Sequence, residues 1–562
     1  MKTADLWFKY CILVPIVLSA IVHLWNPSGF PALHPDESDY IRKAMHVVAG
    51  LGPQEGTSDP IAINNQPYTH PHFGQLFLAA VLGVGFSGSN LLATSNLAHT
   101  VEFLYTLPRV VMGLLAVLDT FLIFKIADRR YDRSVALVSS SLFAVMPMTW
   151  ILREVYLDNI LMPFLLSSIL FALYVKPRRE KIESTKLSQA NVGSSSGTNN
   201  NINNINKNHN RIELVLVIAS GILLGISIYT KIPAFTIIPL VGYLIYTHSP
   251  AIGRVHIKNL AIWFIPVILI PCLWPAYALI VGEFDLWVGG VTGQMSRIES
   301  QSSNKLFTAF SNLFKIDPVT LVIGFAGIIY TAIRRDFWLL IWIVPLITFS
   351  YFIEWVIYFH LILLFPAFCI AAAVLIVRIF KFSLWRKLIS PVLVAAIVCF
   401  GLASSMLLVS LNMNSYQFEA YGAVIKELIN NNNSNNSHNA TNGNDGNNTT
   451  VDLSNSSKSI LMGHRMYYWI PKYIFKVPFG IFPRDALPAG WNNSYNIVQV
   501  VTSKACCCQC PYFGDVYKAT KEHYSFNRDV DIPKSYPFTG IRSIPALGKE
   551  VSIREYSPHL EQ

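Results

Sequence analysis

Just past the first apolar stretch, the run His34-Pro35-Asp36-Glu37-Ser38-Asp39-Tyr40, followed by Arg42, gathers adjacent carboxylates, an imidazole and a guanidinium. Ionisable side chains are costly beside hydrocarbon, so a cluster of them at a membrane boundary points to chemistry. The chemistry that suits this set is group transfer to a hydroxyl. A carboxylate within hydrogen-bond reach takes the hydroxyl proton, while cations hold a departing anion. Other candidates fall at the ends of later apolar runs: His70 in Tyr68-Thr69-His70-Pro71-His72, then Arg109, Arg153, Asp158, Lys231, Glu354 and His360. Each also has a plainer reading. Asp36 and Glu37 suit the start of an amphipathic helix over 38–50, where acids are favoured. Arg153 and Asp158 suit pairing with one another. Lys231 suits a span boundary, and His360 an interfacial position.

The elements that must position these residues lie in a bilayer. The chain has 562 residues, 52% hydrophobic and 14% charged, with a mean hydropathy of +0.41, too apolar for a water-soluble globule. About 20 residues cross a hydrocarbon core of about 30 Å. Apolar stretches near that length predict about eleven spans, near 6–24, 105–126, 134–152, 158–175, 212–229, 232–247, 259–279, 318–333, 337–354, 361–378 and 389–411. The first stretch lacks a small-x-small cleavage site before Pro27 and is kept as span one. A net charge of +10 falls in short clusters between apolar runs, unlike a nucleic-acid-binding patch. Those clusters are Arg129, Arg130 and Arg133; Lys176, Arg178 and Arg179; Arg254 and Lys258; Arg334 and Arg335; and Lys381, Arg386 and Lys387. Basic residues near span ends mark the cytoplasmic side, and one orientation puts all five there. It places the candidate residues at extracytoplasmic ends.

The predicted organisation is a transmembrane domain over 1–411, an Asn-rich disordered linker over 412–458 and a small extracytoplasmic α/β domain over 459–562. Within the first part, 25–104 is a large external loop. Its apolar segment 76–88 is too short to cross and reads as an interfacial helix. Residues 180–210 read as a disordered cytoplasmic loop. Sequons at Asn432, Asn435, Asn439, Asn447, Asn448, Asn455 and Asn492 fall in the tail, though Asn-rich runs create such triplets by chance. Cys506, Cys507, Cys508 and Cys510 admit zinc, disulfides or lipid-facing thiols; adjacent thiols do not aim at one centre as CxxC pairs do.

Taken in order, Asp36-Glu37 after span one, His70-Pro71-His72-Phe73-Gly74, Leu107-Pro108-Arg109, Arg153-Glu154-Val155-Tyr156-Leu157-Asp158-Asn159 and Tyr229-Thr230-Lys231 resemble a known group. It is the protein O-mannosyltransferase and aminoarabinose-transferase group of polyprenyl-phosphate-dependent glycosyltransferases, and the likeness covers roughly residues 5–375. It implies an all-α polytopic membrane protein of the GT-C type. It also implies inverting transfer of a hexose, mannose first among them, from polyprenyl- or dolichyl-phosphate to a protein, glycan or lipid hydroxyl. By resemblance Asp36 is the general base and Glu37 orients the acceptor or a neighbouring cation. His70, Arg109 and Lys231 face the donor phosphate; Arg42, Arg153, Asp158 and His360 complete the substrate site. No cofactor is required, and a divalent cation is left open. The second proline that relatives carry after His-Pro is His72 here, and no insertion is long enough for the extra lumenal repeats of eukaryotic O-mannosyltransferases.

The rival expectation is a polytopic transporter, which also sets charges among helices, but no inverted repeat is visible and the mid-span acid is Asp119. The expected partners are the lipid-phosphate sugar donor, its acceptor and membrane lipids, with no nucleic acid. The expected location is the cell membrane, with the endoplasmic reticulum as the alternative.

Overall fold

The computed structural model describes residues 11–54, 68–86, 97–175, 198–248, 254–295, 305–353, 356–379 and 386–412, with short pieces of the tail as far as Tyr556. Glu354, the sequons and Cys506, Cys507, Cys508 and Cys510 lie outside the described residues.

The chain is a multi-pass helical membrane protein. Among the described residues, six helices are long and apolar enough to cross a bilayer, or up to eight if two bent pairs each form one span. The six include Val101–Arg130, Leu157–Tyr174 and Arg211–Thr230. The bent pairs are Arg133–Val145 with Pro147–Arg153, turned by 67°, and Leu306–Ile316 with Pro318–Ile333, turned by 118°. Among the described residues, three of the eleven expected spans are shorter apolar helices, Leu13–Leu24, Ile232–Thr247 and Trp338–Ile353.

The elements that matter for the site are α1 (Leu13–Leu24), α2 (Pro35–Val48), α3 (Phe73–Phe86), α4 (Leu97–Arg130), α5 (Arg133–Val145), α6 (Leu157–Tyr174) and α7 (Thr198–Thr230). A 3-10 turn, Pro147–Arg153, joins α5 to α6. Later come α8 (Ile238–His248), α9 (Arg254–Leu269), α10 (Leu273–Ile280), α11 (Phe284–Met295), α12 (Lys305–Ile316), α13 (Pro318–Ile333), α14 (Trp338–Ile353), α15 (Phe365–Ile379) and α16 (Arg386–Val409). The apolar segment 76–88, expected as an interfacial helix, is helical over its described part, within α3. The amphipathic segment expected over 38–50 is α2, which starts three residues earlier because Pro35 sits at its first turn and Glu37 closes a capping box with His34. Helix α7 begins at Thr198, so 198–210, expected as part of a disordered loop, is helical. Once the apolar turns of α7 have nucleated a helix, adding turns to its start costs little.

Tight helix packing is encoded by small residues. A Cβ on Gly221 would strike the Trp263 carbonyl, and one on Gly225 would lie 2.6 Å from the Pro266 carbonyl, so this four-residue spacing lets α7 and α9 meet backbone to backbone. Gly225→Leu is therefore expected to cost about 3 kcal/mol, the upper end of overpacking. Gly289→Ala, with nothing within 4 Å of its added Cβ, stays within about 0.5 kcal/mol. Denaturation midpoints in detergent separate the two, and equal shifts would refute the close approach.

Basic residues collect at one end of the bundle. There Arg130 pairs with Asp336 at 2.6 Å, Arg378 lies 3.6 Å from Asp132, and the Trp338 indole donates to the Tyr131 hydroxyl at 2.6 Å. Arg109 lies 21 residues before Arg130 on α4, so about 31 Å of helix separates this end from Arg109. In the tail, β1 (Ser459–Met462), β2 (Gly480–Ile481), β3 (Asn496–Val501), β4 (Lys521–Asn527) and β5 (Glu550–Tyr556) form a sheet of order β2-β1-β3-β5-β4. Strand β1 runs parallel to β2 and β3, while β5 runs antiparallel to β3 and β4.

Candidate active site

The site grows from the first turn of α2. The His34 imidazole accepts from the Asp36 amide at 3.2 Å, and the Glu37 carboxylate accepts from the His34 amide at 3.0 Å. That reciprocal pair fixes where Asp36 projects. The Asp36 side chain is 34% exposed, with its carboxylate 3.8 Å from His34 Nδ1.

Glu37 points the other way and is fully buried. Arg109 donates to its two carboxylate oxygens, Nε to Oε1 at 3.0 Å and Nη2 to Oε2 at 2.6 Å, and the Val155 amide donates to Oε1 at 2.9 Å. The Arg109 Nη1 donates to the carbonyls of Pro27 and Pro31 at 3.2 and 2.8 Å. Glu37, expected to orient the acceptor or a neighbouring cation, and Arg109, expected at the donor phosphate, bind one another in this structure. Both side chains have 0% exposure, and four of the five N–H donors of Arg109 are already committed within the protein. Together they bolt the start of α2 to α4 and to the turn before α6.

Arg153 and Asp158 do not pair with each other. Arg153 caps the end of α1, donating to the carbonyls of Val22, at 3.0 Å, Trp25 and Asn26. Asp158, in the first turn of α6, meets Lys231 at 2.5 Å, a buried bridge between α6 and the turn after α7. Lys231, expected at the donor phosphate, is thus committed to Asp158. Arg42 is buried, 3.9 Å from Asp39. The His70 ring lies 5.8 Å from that of Tyr40, one turn along α2 from Asp36. His72, beside it, is buried against Tyr277 with ring centroids 5.0 Å apart, and burial, aided by Lys43, lowers its pKa to about 4. His360 accepts from the Ile357 amide at 3.2 Å and caps the 3-10 turn Tyr358–Leu364. The structure thus brings Asp36, Glu37, Arg109, His70 and Tyr40 together around α2. His360 contributes through its neighbour Phe359, which stacks on Tyr156 at 5.0 Å; both rings flank His34, at 5.5 and 5.7 Å.

Sequence reasoning missed Glu154. It sits in the turn between Arg153 and α6, 4% exposed, its Oε2 without a hydrogen-bond partner. The Tyr156 hydroxyl bonds its carboxyl, and the Asn159 amide secures its backbone carbonyl at 2.7 Å. Burial first, then the charge of Glu37, raises the Glu154 pKa well above 4.5. An ionisable residue at the end of an apolar run was the available signal.

A stability test follows from that shift. In the fold Glu154 keeps its proton where the unfolded chain has lost it, so its contribution is fully present below pH 4.5 and is lost as pH rises toward the higher folded value. Glu154→Gln is expected to flatten the fall in melting temperature with pH above 4.5; an unchanged slope in the variant would remove Glu154 as its source. Among the described residues no three His, Cys, Asp or Glu side chains form a group that would hold a metal ion.

No protein-family model and no curated protein matches this chain. Solved structures do. ArnT from Cupriavidus metallidurans bound to undecaprenyl phosphate aligns over 98% of both chains at 13% identity and a TM-score of 0.53. Its apo state aligns over 99% of both at 14% identity and 0.52. The archaeal oligosaccharyltransferase AglB from Archaeoglobus fulgidus, in complex with an inhibitory peptide and a dolichol-phosphate, aligns over 95% of this chain and 75% of its own at 12% identity and 0.50. At these identities the likeness speaks for architecture alone: the chain has the GT-C fold.

Proposed function

We propose that this chain is a membrane glycosyltransferase that moves a hexose, mannose in our reading, from polyprenyl- or dolichyl-phosphate to a hydroxyl of a protein, glycan or lipid acceptor. The observation that carries this reading is the division of labour in the first turn of α2. One carboxylate, Glu37, is locked internally to Arg109, and the adjacent one, Asp36, is presented with a third of its side-chain surface open. Relatives in fold support the donor class, since one is bound to undecaprenyl phosphate and another to a dolichol-phosphate.

In the proposed step the acceptor oxygen attacks the anomeric carbon, its proton passes to Asp36, and the carbon–oxygen bond to phosphate breaks, releasing polyprenyl phosphate with inversion. Tyr40, His70 and Tyr156 line the approach. The bundle supplies about eleven passes, counting the shorter apolar helices, and the site faces the extracytoplasmic side of the cell membrane together with the sheet-bearing domain over 459–562.

Purified protein supplied with radiolabelled polyprenyl-phosphate-mannose and candidate acceptors tests the reading. Release of sugar from the lipid, with an α-linked product from a β-linked donor, is the expected result. The absence of release with every lipid-phosphate sugar would refute it. Asp119, buried in α4 with both carboxyl oxygens unpartnered, is the observation that favours transport instead. Asp119→Asn is expected to leave sugar release within twofold, and a loss of flux through vesicles without any loss of transfer would favour the rival.

A further inference from the structure

The loop before α2 is built by residues far away in the chain. Asn414, just past α16, is fully buried: its Oδ1 accepts from the Leu33 amide at 3.1 Å, and its Nδ2 donates to the carbonyls of Ser28, Gly29 and Pro31 at 2.7, 3.3 and 2.9 Å. At the other end of the loop, Asn26 adopts a left-handed conformation with φ 48° and donates from its Nδ2 to the carbonyls of Val409 and Leu411 at 2.9 and 2.7 Å. Gly29 is required there, because a Cβ would collide with the Asn26 amide. Unpaired backbone groups in a buried loop are costly, and the side-chain amide of one asparagine meets four of them, its two N–H shared among three carbonyls, of which that of Pro31 also accepts from Arg109.

A second set of contacts reaches α2 itself. Trp469, fully buried in the tail, donates to the Tyr105 hydroxyl at 3.1 Å, and Tyr105 also bonds the side chain of Ser38. Phe418 packs on the same tyrosine with ring centroids 6.0 Å apart. Farther along α2, His46 Nδ1 lies 3.1 Å from the Tyr473 hydroxyl. The segment around 469–473 therefore reaches the helix near Asp36 through Tyr105 of α4 and touches it directly at His46, near its last turn.

We propose that the chain beyond the last membrane helix is a working part of the catalytic site. Asn414 and Trp469 are positioning residues: they hold loop 26–33 and helix α2, and through them set the place of Asp36. The inference rests on the reading of Asp36 as the base. Asn414→Asp keeps the acceptor for Leu33 but turns a second oxygen toward three carbonyls, and Asn414→Ala removes the clamp without adding charge. Trp469→Ala removes the tail's hold on Tyr105.

The experiment uses the full chain in nanodiscs, with undecaprenyl-phosphate-mannose as the probe and hydrogen exchange as a readout independent of turnover. Both Asn414 variants are expected to raise amide exchange over 26–36 and to lower kcat at least tenfold while the donor KM stays within twofold. Trp469→Ala is expected to raise exchange over 38–46. Should Asn414→Asp fail to fold, Asn414→Ala gives the same reading. Unchanged exchange over 26–36 in the Asn414 variants, or raised exchange with unchanged kcat, overturns the proposal. Wild type without turnover on any donor defeats the reaction assigned to Asp36, and the exchange data still decide whether the clamp exists.

Discussion

Asp36→Asn is expected to lower sugar transfer by about 10²–10⁴-fold, the usual worth of a positioned general base, while the affinity for polyprenyl-phosphate-mannose stays within twofold. The amide is the same size and keeps the place of the side chain, but it cannot take a proton. Losing an acid from the first turn of a helix costs only about 0.3–1 kcal/mol of dipole and capping energy, so the fold survives and the loss is chemical. The 34% exposure of Asp36 agrees with this, since a partly solvated carboxylate carries little of the packing. Turnover equal to wild type would return Asp36 to the role of a helix-terminal acid. Turnover lost together with donor binding would make it a binding group instead.

Much of the architecture was legible because apolar run length and basic clusters are strong, local signals. The pattern around Arg129–Arg133 and Arg334–Arg335 predicted one common face, and Arg130 does reach Asp336 across it. Over the described residues Leu13–Leu24 and Trp338–Ile353 are shorter than the spans expected at 6–24 and 337–354, parts of which lie outside those residues. For the site, the motif order drew attention to Asp36, Glu37 and Arg109, but not to how they divide. Adjacent residues at the start of a helix point about 100° apart, so Asp36 and Glu37 face different surroundings, and only the position of α4 shows which is buried. Arg153 and Asp158, five residues apart, looked like partners. The turn between them aims Arg153 at the carbonyls ending α1 and Asp158 at Lys231, partners separated by more than 70 residues of chain. Asn414 gave no sequence signal at all, since it is one asparagine beside an Asn-rich run, and its value lies in four backbone groups near residue 30.

Arg109→Ala is expected to destabilise the protein by about 3–5 kcal/mol, the cost of leaving one partner of a buried ion pair uncompensated. It strands the fully buried Glu37 carboxylate without its countercharge and takes one donor from each of the carbonyls of Pro27 and Pro31. Arg109→Lys does not rescue it. A single ammonium cannot reproduce a planar fork that meets two carboxylate oxygens while its other arm bonds two carbonyls. Pairing Arg109→Met with Glu37→Gln removes both charges, so the double variant is expected to recover at least half of the lost stability, with a coupling energy that neither single variant shows. Unfolding midpoints for the four proteins of that cycle, measured beside donor affinity, decide between the two roles of Arg109. Stability lost with donor affinity unchanged in the folded fraction identifies a bolt behind Asp36. Stability retained with donor affinity lost would place the guanidinium on the phosphate, against the geometry in which its N–H groups are already engaged.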